Sequence, residues 1–293
     1  MGGGVVATYP AERAGMSNPA FRDQERDVEE IRDRDLHGAT VERVSLREAS
    51  LIRVRFTNAR MRSIDFSGAD IRGALLEGTR VRMAEMVDVR IDAELRNVVV
   101  NGVDIAPLVE AELNRRDPDR ALLRAATPAE FRQAWETLER LWQGTIERAR
   151  TFDEEMLHRS VDEEWSFIQT LRHLNFANAA WVDRMILGDT SPWHPLDLPW
   201  DEAPGWDGIP WDRDARPTLD EVLTVRERRI ASVRDVIDDL DDDTVAATVT
   251  RTEPGYPQGQ DVPVKICLRA VLNEQWEHRR YAERDLDILE SEN

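Results

Sequence analysis

Large apolar residues recur at every fifth position between residues 36 and 91, and this period restricts the fold more than any other feature of the sequence. All twelve of these positions are large and apolar, and the positions three residues after the first eleven hold small or β-branched residues. A period of five fits neither the 3.6-residue turn of a helix nor the two-residue alternation of a strand. A chain that turns a corner every five residues would place both columns inward, so the period predicts a narrow solenoid.

This pattern resembles that of the pentapeptide-repeat family, and its best matches are FTNAR, FSGAD and IRGAL around residues 56–75. The resemblance implies a short right-handed quadrilateral β-helix, in which four repeats form one square coil and twelve repeats form about three coils. We expect this β-helix over residues 35–105, after a polar, partly disordered lead-in over residues 1–34. A helical linker is expected over residues 106–126.

The charge of the chain is concentrated in its second half. Residues 1–126 contain 22 acidic and 20 basic residues, whereas residues 127–293 contain 36 and 19. Such an acidic half would repel nucleic acid and anionic lipid, so neither is expected as a partner. Some pentapeptide-repeat proteins mimic DNA and bind gyrase, but residues 35–94 hold ten arginines and ten acidic residues. A structural role, or docking of a protein partner through the solenoid, is therefore preferred to DNA mimicry.

The sequence predicts a cytoplasmic protein. No apolar run approaches the length of a membrane span, and the first residues, MGGGVVATYP, lack the basic and apolar regions of a secretory signal. The single cysteine, Cys267, excludes an internal disulfide and fits a reducing compartment. All but one of the 39 basic residues are arginine, a bias typical of a GC-rich genome such as that of an actinobacterium.

From Thr127 onward the apolar period changes to 3.6 residues, which predicts four long helices. The first begins at TPAE, where Thr127 and Glu130 have the spacing of a capping box. Residues 127–293 are therefore predicted to form an all-α four-helix bundle, which makes the chain a multidomain protein. The predicted bounds of the other three helices are residues 163–187, 218–240 and 263–289.

Three polar residues lie on the apolar, inward faces of two of these helices. His173 is on the second helix, and Glu274 and His278, four residues apart, share one face of the fourth. Carboxylates and imidazoles are costly to bury unless something in the interior compensates for them. A metal ion would do so, and three ligands would leave the open position of a catalytic zinc site. A hydrogen-bonded pair of Glu274 and His278 beside an arginine is the alternative.

Residues 127–293 resemble the DinB-like superfamily of four-helix bundles. The resemblance rests on WSFIQTLRHLNFANAAWVDRMI, which contains His173, and on VLNEQWEHRRYAERDLDIL in the last helix. Typical members bind a divalent metal through one histidine of the second helix and an H-x3-H pair in the fourth. Here Glu274 replaces the first histidine of that pair, as in the mycothiol-dependent maleylpyruvate isomerase and related members, which use His, Glu and His on zinc. The resemblance therefore implies a divalent-metal site formed by His173, Glu274 and His278, with zinc as the expected ion.

In that family the open zinc position can receive the thiolate of a low-molecular-weight thiol, such as mycothiol. The resemblance therefore implies a metal-dependent thiol S-transferase that acts on a small-molecule electrophile, and homodimers are frequent in the superfamily. The additional C-terminal domain of the isomerase is not expected here, so isomerase activity is not carried over. The alternative is a non-catalytic scaffold, in which the solenoid docks a partner and the bundle keeps a vestigial pocket.

A loop rich in tryptophan and proline, residues 191–216, is the first candidate for a pocket near the metal. Its tryptophans are Trp193, Trp200, Trp206 and Trp211. The loop could cover the metal end of the bundle and form an aromatic, acidic rim, with Trp193 and Trp200 as pocket residues. A packed crossover without a ligand is an equal alternative.

Two residues of the last helix complete the candidate pocket. Tyr281 could hydrogen-bond near the metal, three residues after His278. Cys267 lies about two turns before Glu274 on the same helix. It is either a redox neighbour of the metal or a buried, inert thiol, and the second interpretation is favoured.

Overall fold

The computed structural model describes residues 30–46, 48–52, 54–201, 203–205, 209–253 and 255–292. The lead-in expected over residues 1–34 lies almost entirely outside these ranges, and Trp206 lies outside them as well. The chain divides between Met86 and Val87 into two units, each with its own local structure.

The repeat segment, residues 30–86, turns at every fifth residue. The described turn positions all have a positive φ: Asp33, Gly38, Arg43, Glu48, Asn58, Ser63, Gly68, Gly73, Gly78 and Met83. In alternate repeats an amide donates to the carbonyl of the large apolar residue three positions earlier, as Ala59 does to Phe56 at 2.9 Å. A positive φ at the third residue of such a turn is the signature of a type II turn. The backbone therefore has the five-residue corners that the period predicts.

The filled interior that the period also predicts is not seen in this segment. No strand lies among the described residues 30–86, and the large apolar column is 47% to 70% exposed, from Met61 to Leu76. A solenoid coil buries its inward side chains only when a neighbouring coil stacks on it and completes a hydrogen-bond ladder. The structure shows the turns of the repeats, whereas the β-helix stays a prediction.

The second unit begins with short elements. Strands β1 (Val99–Val100) and β2 (Val103–Asp104) form an antiparallel hairpin instead of a further solenoid coil. Asn101 and Gly102 between them both have a positive φ, as a two-residue hairpin turn requires. Helix α1 (Ala106–Arg116) and a 3-10 helix (Pro118–Arg124) follow, so the expected linker is helical over most of its length.

Four long helices form a bundle in the second unit. The helices from α2 onward are α2 (Pro128–Ala149), the short α3 (Glu154–Leu157), α4 (Phe167–Asn178), α5 (Leu219–Asp238), the short α6 (Asp242–Ala246) and α7 (Val264–Ser291). Both α2 and α4 contact α5 and α7, and the core between the four long helices consists of two apolar clusters. Phe131 and Leu272 belong to the first cluster and Leu171 and Val222 to the second, and none of them is more than 1% exposed. No helix in the described part of the chain is long and apolar enough to cross a membrane.

Helix α4 begins at Phe167, later than the predicted residue 163, and changes its winding before it ends. Ser166 is the N-cap, because its hydroxyl accepts the Gln169 amide while the Gln169 side chain accepts the Ser166 amide. After Asn178 the helix continues as a π-helix over Ala179–Ile186. π-helical turns are rare and occur often at functional sites.

The glycines and prolines of residues 251–263, RTEPGYPQGQDVP, predict a loop, but the segment contains a strand. Strand β4 (Gly259–Pro263) pairs antiparallel with β3 (Thr248–Arg251), with Val249 opposite Val262. The loop prediction was wrong here because the glycines and prolines that suggested it lie mostly in the turn between the two strands. Arg184 of the π-helix, 1% exposed, donates to backbone carbonyls in this turn and thereby holds it against the bundle.

Candidate metal centre

His173, Glu274 and His278 lie together in the bundle. The Nε2 atoms of His173 and His278 are 3.4 Å and 3.2 Å from the same carboxylate oxygen, Oε2 of Glu274. One possible ligand atom from each residue lies within 4.8 Å of the other two. Ligands about 2.1 Å from a tetrahedral zinc ion are roughly 3.4 Å apart, so these separations suit one shared divalent ion.

The hydrogen bond on the second nitrogen of His173 leaves its Nε2 available. Its Nδ1 lies 3.0 Å from the backbone oxygen of Leu198, which follows α4 in the tryptophan-rich loop. Because a carbonyl can only accept, Nδ1 is the nitrogen that donates to Leu198, and Nε2 is the nitrogen that faces Glu274. Metal-binding histidines are usually oriented by a hydrogen bond of this kind.

The electrostatics of Glu274 favour an ionised ligand. Burial alone would raise the pKa of its carboxyl, but hydrogen bonds and charge from His173 and His278 hold that pKa well below its ordinary value. The Glu274 side chain is 34% exposed, against 10% for His173 and 22% for His278, so the carboxylate is the candidate ligand nearest to solvent. Two imidazoles and one carboxylate form a donor set of the kind used by catalytic zinc sites.

Aromatic rings cover the two imidazoles. The Trp165 ring lies 4.5 Å from that of His173 and 5.9 Å from that of His278, and its indole N–H donates to Asp201 at 3.1 Å. Phe176, almost one turn after His173, contacts the His173 ring at 5.9 Å. Trp165 was not a candidate from the sequence. Its place directly before the capping box of the helix that carries His173 is the signal that could have identified it.

Trp193 and Trp200, two of the candidate pocket residues, approach the triad through Phe176. The Phe176 ring lies 5.7 Å from Trp193, 6.2 Å from Trp200 and 6.2 Å from Tyr256. Tyr256, in the turn between β3 and β4, also contacts Trp200 at 4.6 Å and was missed in the sequence because that segment was predicted only as a loop. The described part of the tryptophan-rich loop therefore packs aromatic rings against Phe176, which in turn contacts His173.

The other two candidate pocket residues, Tyr281 and Cys267, have different surroundings. The Arg284 guanidinium lies 5.1 Å from the Tyr281 ring, and burial together with nearby carboxylates raises the pKa of Tyr281. Cys267 is fully buried in α7, and burial raises the pKa of its thiol to about 11. A buried thiol with so high a pKa has little thiolate character and is chemically inert.

A buried arginine next to His173 ties the loop to α4. Arg172 is 1% exposed and donates to the backbone oxygens of Leu196 at 2.8 Å and Ala215 at 2.7 Å. Burial lowers the pKa of Arg172, although nearby carboxylates oppose this effect. Two adjacent residues of α4 therefore have separate tasks: Arg172 holds the loop, and His173 joins the triad.

Family models match both halves of the chain. The model of the DinB superfamily matches residues 130–282, more than half of the chain, and the model of pentapeptide repeats matches residues 35–68 and 42–78 with eight copies. No curated protein and no solved structure gives a significant match. The matches do not show the finer similarity to the mycothiol-dependent isomerase. This chain belongs to the DinB superfamily, and pentapeptide repeats precede its DinB domain.

Proposed function

We propose that this protein is a metal-dependent S-transferase in which His173, Glu274 and His278 hold a divalent ion, preferably zinc. Mycothiol or another low-molecular-weight thiol is its nucleophile. The supporting observation is that one possible ligand atom from each of the three residues lies within 4.8 Å of the others. DinB domains usually bind a divalent metal. Zinc with three protein ligands keeps an open position and lowers the pKa of a thiol that binds there, so a thiolate is available at neutral pH.

The side chains around the triad keep its donors oriented and shielded from water. The Leu198 carbonyl accepts the Nδ1–H of His173, so Nε2 is the nitrogen that would bind the ion. Trp165 covers both imidazole rings and limits their rotation. Exclusion of water lowers the local dielectric constant, which strengthens the attraction between the site and an anionic sulfur. Approach past Glu274, the most exposed of the three ligands, suits a small thiol.

Metal quantification tests the proposed site. Protein purified without chelators should contain about one zinc per chain, and His173→Ala and Glu274→Gln should contain almost none. His37→Ala is the matched control, because His37 is exposed in the repeat segment and should leave the metal content unchanged. A wild-type protein that stays metal-free after incubation with zinc would contradict the proposal.

A transfer assay separates metal binding from catalysis. The zinc-loaded protein should join mycothiol to a small electrophile through a new C–S bond. In an addition the thiol proton ends on the adjacent atom of the electrophile, and in a substitution it leaves with the displaced group. Product measured by mass spectrometry should depend on zinc and disappear in His278→Ala. If the protein binds metal but transfers no cellular thiol, the proposed metal site would stand and the proposed transferase activity would be contradicted. We place this reaction in the cytoplasm, where thiols are kept reduced.

The exposed apolar column favours a second role for the repeats. We propose that the repeats stack into the predicted quadrilateral β-helix and dock a protein partner, since pentapeptide repeats often mediate protein interactions. Burial of this column would contribute about 25 cal/mol per Å² of apolar surface. Hydrogen exchange over residues 30–86 tests the β-helix, because stacked coils would protect the amides between the turns. Light scattering would show whether the protein also forms the homodimer that is frequent in the superfamily.

A further inference from the structure

A buried charged cluster anchors the start of the loop between α4 and α5. Arg229 of α5 donates to Asp183 Oδ2 at 2.6 Å, to Asp197 Oδ2 at 3.2 Å and to the backbone oxygen of Pro192. Ser232, almost one turn later on α5, donates to the other carboxylate oxygen of Asp183. The cluster therefore joins α5, the π-helix and the loop.

The cluster contains more charge than the packing of a loop requires. The side chain of Asp197 is fully buried, and those of Arg229 and Asp183 are 12% and 13% exposed. Two carboxylates face one guanidinium, and Oδ1 of Asp197 and Nε of Arg229 have no hydrogen-bond partner among the described residues. Buried charges cost free energy that apolar side chains of similar size would not, so stability alone is a weak explanation for the cluster.

The carboxylate of Asp197 closes a tight turn in the loop. Its Oδ2 accepts the backbone N–H of His194 at 2.8 Å, and the Asp197 N–H donates back to the His194 oxygen at 2.9 Å. Arg229 contacts the same Oδ2 and also the carbonyl of Pro192, two residues before this turn. The guanidinium therefore fixes both the entry to the turn and the carboxylate that closes it.

The residue after this turn orients a metal ligand. Leu198 donates its N–H to the Arg172 oxygen at 3.2 Å, and its own oxygen accepts the Nδ1–H of His173 at 3.0 Å. Asp197 and Leu198 share a peptide bond, so a shift of the turn would move this carbonyl. The buried cluster is thus connected to the imidazole of His173 by a short, continuous series of contacts.

We propose that Arg229, with Asp183 and Asp197, positions the metal ligand His173 through the backbone carbonyl of Leu198. The inference rests on the proposed function, because its main consequence is the affinity of the triad for a divalent ion. Loss of the groups that orient a metal-binding histidine typically weakens metal affinity by about 10–100-fold. Arg229 acts in this scheme as a positioning residue.

Three variants distinguish positioning from general support of the loop. Arg229→Gln keeps a side chain of similar length and removes the charge. Arg229→Lys keeps the charge and loses the planar guanidinium, which donates several hydrogen bonds in fixed directions. Arg213→Gln is the matched control, because Arg213 anchors a later part of the same loop through the carbonyls of Trp200 at 3.1 Å and Ala203 at 3.4 Å.

The first measurement is zinc affinity by competition with a chelator at neutral pH. Arg229→Gln should bind zinc about 10–100-fold more weakly than wild type, Arg229→Lys should lose less, and Arg213→Gln should match wild type. A folded Arg229→Gln with wild-type affinity would overturn the proposal. Equal losses in Arg229→Gln and Arg213→Gln would overturn it too, since general damage to the loop would then explain both.

The second measurement needs no metal. Nitrogen NMR of the zinc-free protein should show the Nδ1–H of His173 hydrogen-bonded and slow to exchange in wild type, and less protected from exchange in Arg229→Gln. Unchanged protection of this N–H in the variant would overturn the positioning role. Wild-type protein that binds no zinc, together with a less protected Nδ1–H in the variant, would instead reject the metal function and keep the positioning role. If near-UV circular dichroism shows Arg229→Gln to be unfolded, Asp197→Asn provides the same two measurements with the same expected directions.

Discussion

The apolar side chains of the repeat segment are exposed to solvent, whereas those of the helical bundle are buried. Phe56 and Phe66 of the repeats are 54% and 59% exposed, whereas Phe131 and Phe167 of the bundle are 0% and 2% exposed. The turns of the repeats are closed by hydrogen bonds over three residues, while each long helix buries its stripe against two distant helices. A regular sequence can therefore specify its local turns without specifying what covers its apolar side chains.

Truncation of a phenylalanine in each region should produce the largest contrast. Phe131→Ala removes a fully buried ring from the bundle and should lower its free energy of unfolding by about 3–5 kcal/mol. Phe56→Ala removes a ring that is 54% exposed and should cost less than about 1 kcal/mol in unstacked repeats. In the proposed β-helix, where this ring would point inward, the cost should instead be several kcal/mol.

The two regions can be observed separately in the intact chain. All nine tryptophans lie beyond residue 134, so tryptophan fluorescence during chemical denaturation reports on the bundle. Hydrogen exchange mapped by mass spectrometry reports on the repeat segment. A cost of several kcal/mol for Phe56→Ala would break the contrast and would indicate that the repeats have a packed interior in solution.

The buried charge of the bundle should produce the next largest effect, as a dependence of stability on pH. Burial raises the pKa of Asp197 from 3.8 to about 6, although Arg229 opposes the shift. Between pH 3.8 and about 6 the folded protein keeps a proton on Asp197 that the unfolded chain has released. The contribution of this proton to the free energy of unfolding is therefore complete below pH 3.8 and is lost as the pH rises to about 6. Its size is at most about 3 kcal/mol.

Asp197→Asn isolates this contribution from the titration of the many other carboxylates. The difference in free energy of unfolding between wild type and variant should change between about pH 4 and pH 7, in the direction that favours wild type in acid. Chemical denaturation followed by tryptophan fluorescence measures it. A difference that stays constant over this range would mean that the pKa of Asp197 is the same in the folded and unfolded chains.

Glycine substitutions should have the smallest effects, and these should differ in sign between the two regions. Gly144 lies in α2, and a Cβ there would meet nothing within 4 Å, so Gly144→Ala should stabilise the bundle by about 0.5–1 kcal/mol. Gly68 also has open space but a φ of +73°, so Gly68→Ala should destabilise its turn by about 1 kcal/mol. Hydrogen exchange of the two regions measures both changes in stability. If Gly68→Ala stabilises the repeat segment, the chain does not form this turn in solution.

The helical elements could be predicted because their signals are local. Thr127 with Glu130, and Thr218 with Glu221, form the capping boxes that the sequence spacing indicates. The apolar stripe of the second predicted helix is buried as expected, including Phe176 and Ala180. The start of that helix was misplaced because the acidic residues before Ser166 are compatible with a first turn, and only the observed hydrogen bonds show which residue forms the cap.

The candidate triad could be proposed from helical periodicity, but its surroundings could not. Glu274 and His278 share a face because they are four residues apart, and His173 lies on the inward stripe of another helix. The role of the Leu198 carbonyl could not be predicted from the type of residue, because every residue has a backbone oxygen. The contact of Trp165 with both imidazoles depends on where the chain lies before the cap, which no spacing rule describes.

The amino-acid sequence by itself determined the five-residue turns of the repeats, the four long helices of the bundle and the three polar residues on their inward faces. These features depend on interactions between residues close along the chain, which composition and period can encode. Only the tertiary structure decided that three candidate ligand atoms meet within 4.8 Å, that a loop carbonyl contacts His173 and that Arg229 contacts the turn before it. The reason is that these contacts join residues far apart in the sequence, and their distances follow from how the helices and the loop pack.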